Sequence, residues 1–387
     1  MKKFLTKNSK LVQVCTNCIY DENVDGIKFD IQGKCNYCAQ IESLIKEYGT
    51  GGKKGKLLLK EIFRKIKEDG RGKKYDCIVG VSGGTDSSYL IDLVHKEGLR
   101  PLAVHFDNTW NSEIATMNIK IMLKSLKIDL YTKVINSDEM DDIFRSFFLA
   151  GVAELDSSTD LGYASLLYKV AIKFNVKYVL EGHSFVTEGI TPLGTNYFDG
   201  KYIQGIHKKY GKIKMNSYPL MTFTKFLYWT LFKRIKKIRP LWYIDYSKEK
   251  ARKILEKKFG WQYYGGHHLE NQMTKFVHLI YFPSKFNTDY SNNNLSALVR
   301  NKIISRDEAW RIYTKKKNVE KALIDYFLKR LKLSKKEYER IMKKKPRYWT
   351  EFPTYKKRFE YFSPIFFLMQ KANLVPKSFY LKYCKKN

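Results

Sequence analysis

The sequence predicts an α/β protein in which a parallel sheet is covered by helices on both faces. Three observations lead there. Between Tyr75 and Leu180, short apolar runs alternate with longer segments of helical periodicity, the pattern of crossover units whose strands pair in parallel. The first run enters a turn with two glycines before its helix, CIVGVSGGTDSSYLIDLV from Cys77 to Val94, and ligands of such sheets bind beyond the carboxyl ends of strands. With 44% hydrophobic and 15% aromatic residues in 387 positions, the chain can bury one large core or two smaller ones.

The elements follow in order. Residues 1–45 contain Cys15-x-x-Cys18 and Cys35-x-x-Cys38, separated by 16 residues. Each pair can grip one edge of a tetrahedron from a tight turn, so this region reads as a closed, structural zinc knuckle, with an iron–sulfur cluster as the competing metal. Residues 46–56, KEYGTGGKKGK, read as a Gly/Lys-rich linker or flexible loop. A helix near Leu57–Glu68 leads to a strand over Tyr75–Val81. Then follow a helix over Ser87–Glu97, a strand over Leu102–Phe106, a helix over Ile114–Leu126 and a strand over Leu130–Val134. A helix over Tyr163–Phe174 and a strand over Tyr178–Leu180 complete the alternation.

Charge narrows the partner class. The chain carries 72 Lys+Arg against 39 Asp+Glu, a formal +33, which favours a polyanion: nucleotide, nucleic acid, phosphosugar or acidic membrane. Polar Thr6 to Lys10 interrupt any signal-like apolar run, and no stretch reaches the ~20 apolar residues needed to span a bilayer. The expectation is a cytoplasmic protein, with its basic regions able to meet the inner face of the membrane.

After Val81 the glycines permit close approach, consecutive backbone N–H groups form an anion nest, and the next helix adds its positive N-terminal end. Ser82, Gly83, Gly84, Ser87 and Ser88 are the candidate phosphate ligands, the serines through their hydroxyls. Asp86 would repel a phosphate unless a divalent cation stands between them, so it implies Mg²⁺. No GK[ST] follows the glycines and no GxGxxG is present. The turn resembles the SGGxDS pyrophosphate loop of the N-type ATP pyrophosphatases. That resemblance implies that ATP is split between its α and β phosphates, pyrophosphate being held in the turn and AMP passed to a substrate oxygen. Two later strand ends fit the same ligand. His105 and Asp107 lie in AVHFDNTWN, where the family holds adenosine largely through the main chain. Gly182-His183 resembles the family's GH turn.

The remaining cysteines, Cys77 and Cys384, offer no pair to carry sulfur, which disfavours a paired-cysteine thiolase. Over about 300 residues the chain resembles the N-acetyl sugar amidotransferases of bacterial surface-polysaccharide (LPS, O-antigen) biosynthesis. The match runs through CTNCIYDENVDGIKFDIQGKCNYC from Cys15, VSGGTDSSYL from Val81, PLAVHFDNTWNSEIA from Pro101 and STD from Ser158. It continues through EGHSFVTEGITP from Glu181, FDGKYIQGIHKKYG from Phe198 and GWQYYGGHHLENQMTKF from Gly260.

The resemblance implies that the acetamido group of a nucleotide-linked sugar becomes an acetamidino group. Adenylylation turns the carbonyl oxygen into an AMP leaving group, which ammonia displaces. No glutaminase arrangement is evident in the chain, so the resemblance implies a separate glutaminase and a cyclase-like ammonia-channel subunit. Sugar handling and proton transfer fall to Thr187, Glu188, Lys201, Lys208, His268 and Glu270, with Lys201, His268 and Glu270 joining Asp86 as catalytic candidates. The chain departs from the family at Lys285 to Asn294, where an Arg-rich stretch is expected.

On this reading residues 57–215 form the ATP pyrophosphatase domain, 216–310 a substrate or lid region, and 311–387 a basic helical tail with 23 Lys+Arg against 6 Asp+Glu. The tail suits RNA, an anionic membrane or simple solvation. TFTKFLYWTLFKRIKKI from Thr222 suits an amphipathic interfacial helix or a core or lid helix. A PP-loop tRNA-modifying enzyme is the second reading, and a non-catalytic zinc/RNA-binding protein the third.

Overall fold

A computed structural model describes the chain except for residues 1–2, 6–10, 190–196, 267–268, 288, 316–319, 373 and 386–387. In the N-terminal part, β1 (Lys3–Leu5) and β2 (Leu11–Gln13) pair antiparallel, followed by α1 (Asn36–Tyr48) and α2 (Lys53–Asp69). Then come β3 (Cys77–Gly80), α3 (Thr85–Lys96), β4 (Pro101–Asp107), α4 (Glu113–Leu126), β5 (Leu130–Val134), α5 (Ser137–Ala150), α6 (Ser157–Lys173), β6 (Tyr178–Leu180), α7 (Phe185–Glu188), α8 (Gly200–Tyr210), α9 (Phe223–Leu227) and β7 (Lys236–Ile238). Helices follow: α10 (Lys248–Phe259), α11 (Gln272–Phe276), α12 (Ser291–Arg300), α13 (Arg306–Thr314), α14 (Lys321–Arg330), α15 (Lys335–Lys343), α16 (Lys356–Tyr361) and α17 (Ser363–Lys371).

Five strands form one parallel sheet in the order β5-β4-β3-β6-β7. Because side chains alternate along a strand, the sheet feeds two cores. Ile78, Leu102, Val104 and Val179 enter the larger one with α5, α6 and α8. Cys77, Val79, Ala103 and Leu180 enter the other, with α2, α3, α4 and α10. The predicted α/β sheet covered on both faces is therefore present. Residues 46–56 are no linker: they are the end of α1, a short turn closed by Gly49 in the left-handed region (φ 62), and the start of α2. Gly55 packs so closely on this turn that a Cβ would lie 2.3 Å from the Gly49 and Tyr243 carbonyl oxygens.

The described part of residues 311–387 is largely helical but not a solvated appendage. Leu323, Phe327, Leu331, Ile341, Phe352, Phe359, Phe366 and Cys384 all enter the larger core. Phe327 stacks on Phe276 with centroids 3.7 Å apart. Arg330 makes two bonds of 2.8 Å to Asp141 while lying 4.5 Å from the centre of the Trp110 ring. Most of the tail's described cations are exposed, Lys356 being a buried exception, and its aromatics largely face in. Thr222 to Ile238 does not form one amphipathic helix: Phe223, Phe226 and Trp229 are core residues, and the basic end becomes edge strand β7. Among the described residues, no helix is long and apolar enough to cross a membrane.

Truncating a buried phenylalanine costs about 3–5 kcal/mol. Phe327→Ala is therefore expected to lower stability by about that amount, read as a fall in the denaturant midpoint. A chain ended after Arg311 should lose cooperative unfolding altogether, since it forfeits this whole layer of the core.

Candidate functional site

The site lies where the chain reverses direction across the sheet. From β3 the path runs outward to β4 and β5, then returns to β6 on the other side of β3, so the loops after β3 and β6 diverge and leave a crevice. Gly83 takes φ 80, and a Cβ on it would lie 2.2 Å from the Ala115 carbonyl oxygen. Gly84 ends the turn without a side-chain cap on α3, leaving the helix's positive end facing the crevice. From β6, Gly182 presses against the first turn of α3: a Cβ there would sit 2.9 Å from the Asp86 carbonyl and Ser87 nitrogen. These two strand-end segments are thus brought together.

The hydroxyls brace the turn. Ser82 Oγ accepts from the Gly84 N–H at 3.2 Å, Ser87 Oγ accepts from the Ser82 N–H at 3.2 Å, and Ser88 Oγ accepts from Trp261 Nε1 at 3.2 Å. Trp261 Nε1 and Asn118 Nδ2 both reach the Gly83 carbonyl, each at 3.3 Å.

Asp86 is the charged centre. Lys248 Nζ lies 2.8 Å from its Oδ2 and 3.0 Å from Glu188 Oε1, and the Tyr246 hydroxyl donates to its Oδ1 at 2.5 Å. Burial pushes the Asp86 carboxyl up to about 6, against the opposing pull of the Lys248 ammonium. Burial weighs against the Lys248 charge, yet its two carboxylates raise it above its ordinary value. Two carboxylates sharing one cation are a ready pair of oxygen ligands for a divalent ion. Sequence reasoning found Asp86 and Glu188 but missed Lys248 and Tyr246, which lie in an undistinguished YSKEK stretch 160 residues from Asp86.

His183 Nδ1 accepts from Trp242 Nε1 at 3.1 Å, and its Nε2 lies 3.5 Å from Glu188 Oε2. Burial, then Arg239, hold the imidazole down at about 3, so it is neutral with its proton on Nε2. Burial would raise neighbouring Glu181, but Lys237 at 2.5 Å and Arg239 at 3.5 Å hold it at about 2. Thr187 is buried on α7, its hydroxyl without a partner among the described residues.

On the β4 side, His105 Nδ1 meets the Val81 carbonyl at 2.9 Å and its Nε2 meets Asn111 Nδ2 at 3.3 Å. Burial lowers its pKa. Asp107 turns onto its own loop, accepting from the Thr109 N–H at 2.8 Å. Residues 110–112 pair with 270–272 through Ser112 N–H to Glu270 O and Gln272 N–H to Trp110 O, both 2.8 Å. Asn271 reinforces the bridge by donating to Asn108 at 2.9 Å and Asn111 at 3.1 Å. This carries the Glu270 carboxylate to the loop, 3.5 Å from Ser82 Oγ. The three asparagines stood inside the FDNTWN and ENQM blocks without an assigned role. His268 lies outside the described residues.

Beside the crevice is a cavity of about 330 Å³ walled by Phe223, Phe226, Tyr355, Phe359 and Phe379 and reached by His183, Arg239 and Lys382. Burial lowers Lys382 to about 8. Lys201 sits near this cavity, 6.0 Å from the centre of the Tyr355 ring. Lys208 is exposed farther along α8 and is not brought to the loop. Lys285 is buried and donates at 2.7 Å to the Ile341 and Lys344 carbonyls, tying down the end of α15.

Cys15, Cys18, Cys35 and Cys38 are buried, their sulfurs all within 4.8 Å of one another. Cys15–Cys38 and Cys18–Cys35 are each 3.9 Å apart, close to the edge of about 3.8 Å that a tetrahedron with 2.3 Å metal–sulfur bonds requires. The set fits a single ion. Burial pushes the Cys77 thiol well up and Cys384 up to about 12, so neither is a reactive thiolate.

Removing Lys248 removes the charge that opposes burial at Asp86. In a carboxyl-labelled Asp NMR titration, Asp86 should lose its charge as pH falls through about 6. Lys248→Met should move that midpoint to higher pH.

Among curated proteins, uncharacterized protein MJ1599 of Methanocaldococcus jannaschii is 28% identical over 170 residues, covering 44% of this chain and 58% of that protein. The chain thus spans little more than half the length of this relative. Among solved structures, the U34-tRNA thiolase NcsA of Methanococcus maripaludis with its [4Fe-4S] cluster is 14% identical, with coverage of 80% of this chain and 90% of that one and a TM-score of 0.31. The NH3-dependent NAD synthetase of Campylobacter jejuni is 14% identical, covering 68% and 99%, with a TM-score of 0.29. The NMN synthetase of Francisella tularensis is 15% identical, covering 57% and 92%, with a TM-score of 0.26. Overlaps this weak do not decide what the crevice binds. Residues 270–365, which bring Glu270 to the loop and Phe327 to the core, match the family model of the LPS biosynthesis protein WbpG-like, C-terminal domain.

Proposed function

We propose that the protein is an ATP-dependent, AMP-forming amidotransferase that converts the acetamido group of a nucleotide-linked N-acetyl sugar into an acetamidino group. The observation that carries the reading is the junction at the crevice. A glycine-rich anion turn, the Asp86–Lys248–Glu188 cluster and an aromatic cavity meet there, and the matched LPS biosynthesis segment supplies Glu270 to the turn.

The turn and the start of α3 hold the β and γ phosphates through backbone N–H groups. Asp86 and Glu188 would hold Mg²⁺, which supplies charge neutralisation for the leaving pyrophosphate. Lys248, displaced from the carboxylates, turns to the phosphates. The cavity takes the sugar nucleotide, aromatic walls against its base and Arg239 and Lys382 toward its diphosphate. The acetamido oxygen attacks the α phosphorus and the bond to the bridging oxygen of pyrophosphate breaks. Ammonia then adds to the activated carbon, and AMP departs with that oxygen. The proton shed by nitrogen passes to Glu270. Ammonia comes from a separate glutaminase through a cyclase-like subunit. The four-cysteine centre holds zinc, in keeping with the spacing of its sulfurs.

Purified protein given ATP, Mg²⁺, ammonium and a panel of nucleotide-linked N-acetyl sugars should release AMP and pyrophosphate only when the right sugar is present. The sugar's mass should change by exchange of O for NH. ADP formation, or AMP release that depends on tRNA and not on sugar, would overturn the reading. Asp86→Asn should cut AMP formation by about 10²–10³-fold, as for loss of an electrostatic contact to the transition state, with the circular-dichroism spectrum unchanged. Cys35→Ser should lose about one zinc per chain and destabilise the N-terminal region, because structural zinc binding is coupled to folding; metal analysis and limited proteolysis read both.

A further inference from the structure

Arg300 is a buried charge that the nucleotide crevice does not use. It ends α12, and its Nε, Nη1 and Nη2 are all shielded from solvent with no hydrogen-bond partner among the described residues. A guanidinium carries five donors and stays charged at any pH the fold survives. Such a group is stable in an interior only beside compensating negative charge.

Its surroundings say where that charge comes from. Its Cζ lies 5.6 Å from the centre of the Tyr20 ring, and the Tyr20 backbone N–H donates to Cys18 Sγ at 3.4 Å. Four thiolates around one divalent ion carry a net charge of about −2, and all four sulfurs here are buried. On its other side stands Gly189, the residue after α7: a Cβ there would be 3.2 Å from Arg300 Nη2 and 3.4 Å from the Tyr20 hydroxyl. The next residue, Asn301, donates Nδ2 to the Val186 carbonyl on α7 at 2.9 Å. α12 is also moored to the knuckle, with Ile19 N–H donating to Ser296 Oγ at 3.3 Å and the Tyr20 hydroxyl donating to Asn293 at 2.7 Å.

We propose that Arg300 is the counter-ion of the metal–tetrathiolate centre, and that it couples metal loading to the position of α7 and hence of Glu188. With metal present, the guanidinium has a dianion to face and holds Gly189 and α7 in place. With metal removed that fixed dianion is lost, and the 185–189 segment loosens. Arg300 is a positioning residue: it touches no reacting atom. The proposal rests on the reading of the four cysteines as zinc ligands, so zinc content of the wild-type protein is measured first. A wild type without metal would sink that reading and this one together; a loaded wild type isolates Arg300.

In the full-length protein, competition for zinc against a chromophoric chelator should show Arg300→Met weakened by at least about tenfold, the scale of loss when an outer partner of a metal site is removed, with Arg300→Lys recovering part of it. Asn301→Ala, which cuts only the tether to Val186, should keep wild-type zinc affinity. Affinity of Arg300→Met within about twofold of wild type, or an equal loss in Asn301→Ala, would reduce Arg300 to packing. If the Met variant does not fold, the wild type still decides. Stripping its zinc should speed hydrogen–deuterium exchange over 185–189, and unchanged exchange there would overturn the coupling.

Discussion

The approach of Gly182 to the first turn of α3 is the contact on which the site depends. β3 and β6 are neighbours in the sheet, but the chain leaves them in different directions, and a Cβ at position 182 would lie only 2.9 Å from the Asp86 backbone, so only a residue without one lets the β6 end pack this closely. That closeness puts Glu188, two turns of chain later, on the same ammonium as Asp86. It also leaves His183 at once beside the Glu188 carboxylate and on the wall of the aromatic cavity. A side chain at position 182 would separate the anion turn from both.

In a chain with 72 cations and 39 acids, several of the acids shielded from water hold cations. Asp86 and Glu188 hold Lys248, Glu181 holds Lys237 and Arg239, and Asp141 holds Arg330. Other buried carboxylates accept backbone N–H groups: Asp142 from Lys212 and Ile213, Glu139 from Ser217 and Tyr218. These anchors place the 212–218 segment against α5. The surplus cations are left at the surface, where long stems cost little to solvate. The high net charge is therefore a property of the exterior, while the crevice itself is nearly balanced.

Two remote parts of the chain clamp the sheet from outside. The C-terminal helices lay Phe327 and Phe366 into the larger core and wall the cavity with Tyr355, Phe359 and Phe379. The four-cysteine knuckle is gripped by α12 and α13, whose Leu295, Ala309 and Trp310 pack on Val12, Val14 and Ile19. Two residues of the connection to α12 and of α12 itself serve these clamps: Lys285 ties α15, and Asn293 receives the Tyr20 hydroxyl.

What the sequence determined by itself is local and periodic. Alternation of apolar runs and helical patterns is enough to predict β3 to β6 and their crossover helices, because period and length are properties of neighbouring residues. The two CxxC pairs and SGGTDSS are equally legible, since each site is built within one turn. Only tertiary structure decided that Lys248 and Tyr246 reach Asp86, that an Asn111–Asn271 bridge delivers Glu270, and that the basic tail walls the cavity. Those partners are separated by some 160 residues in the cases of Tyr246 and Asn271. A lysine in a lysine-rich chain bears no mark of the one carboxylate it meets. The meeting is set by how α10 packs on α3, a matter of shape and burial summed over the whole core, not of any short run of residues.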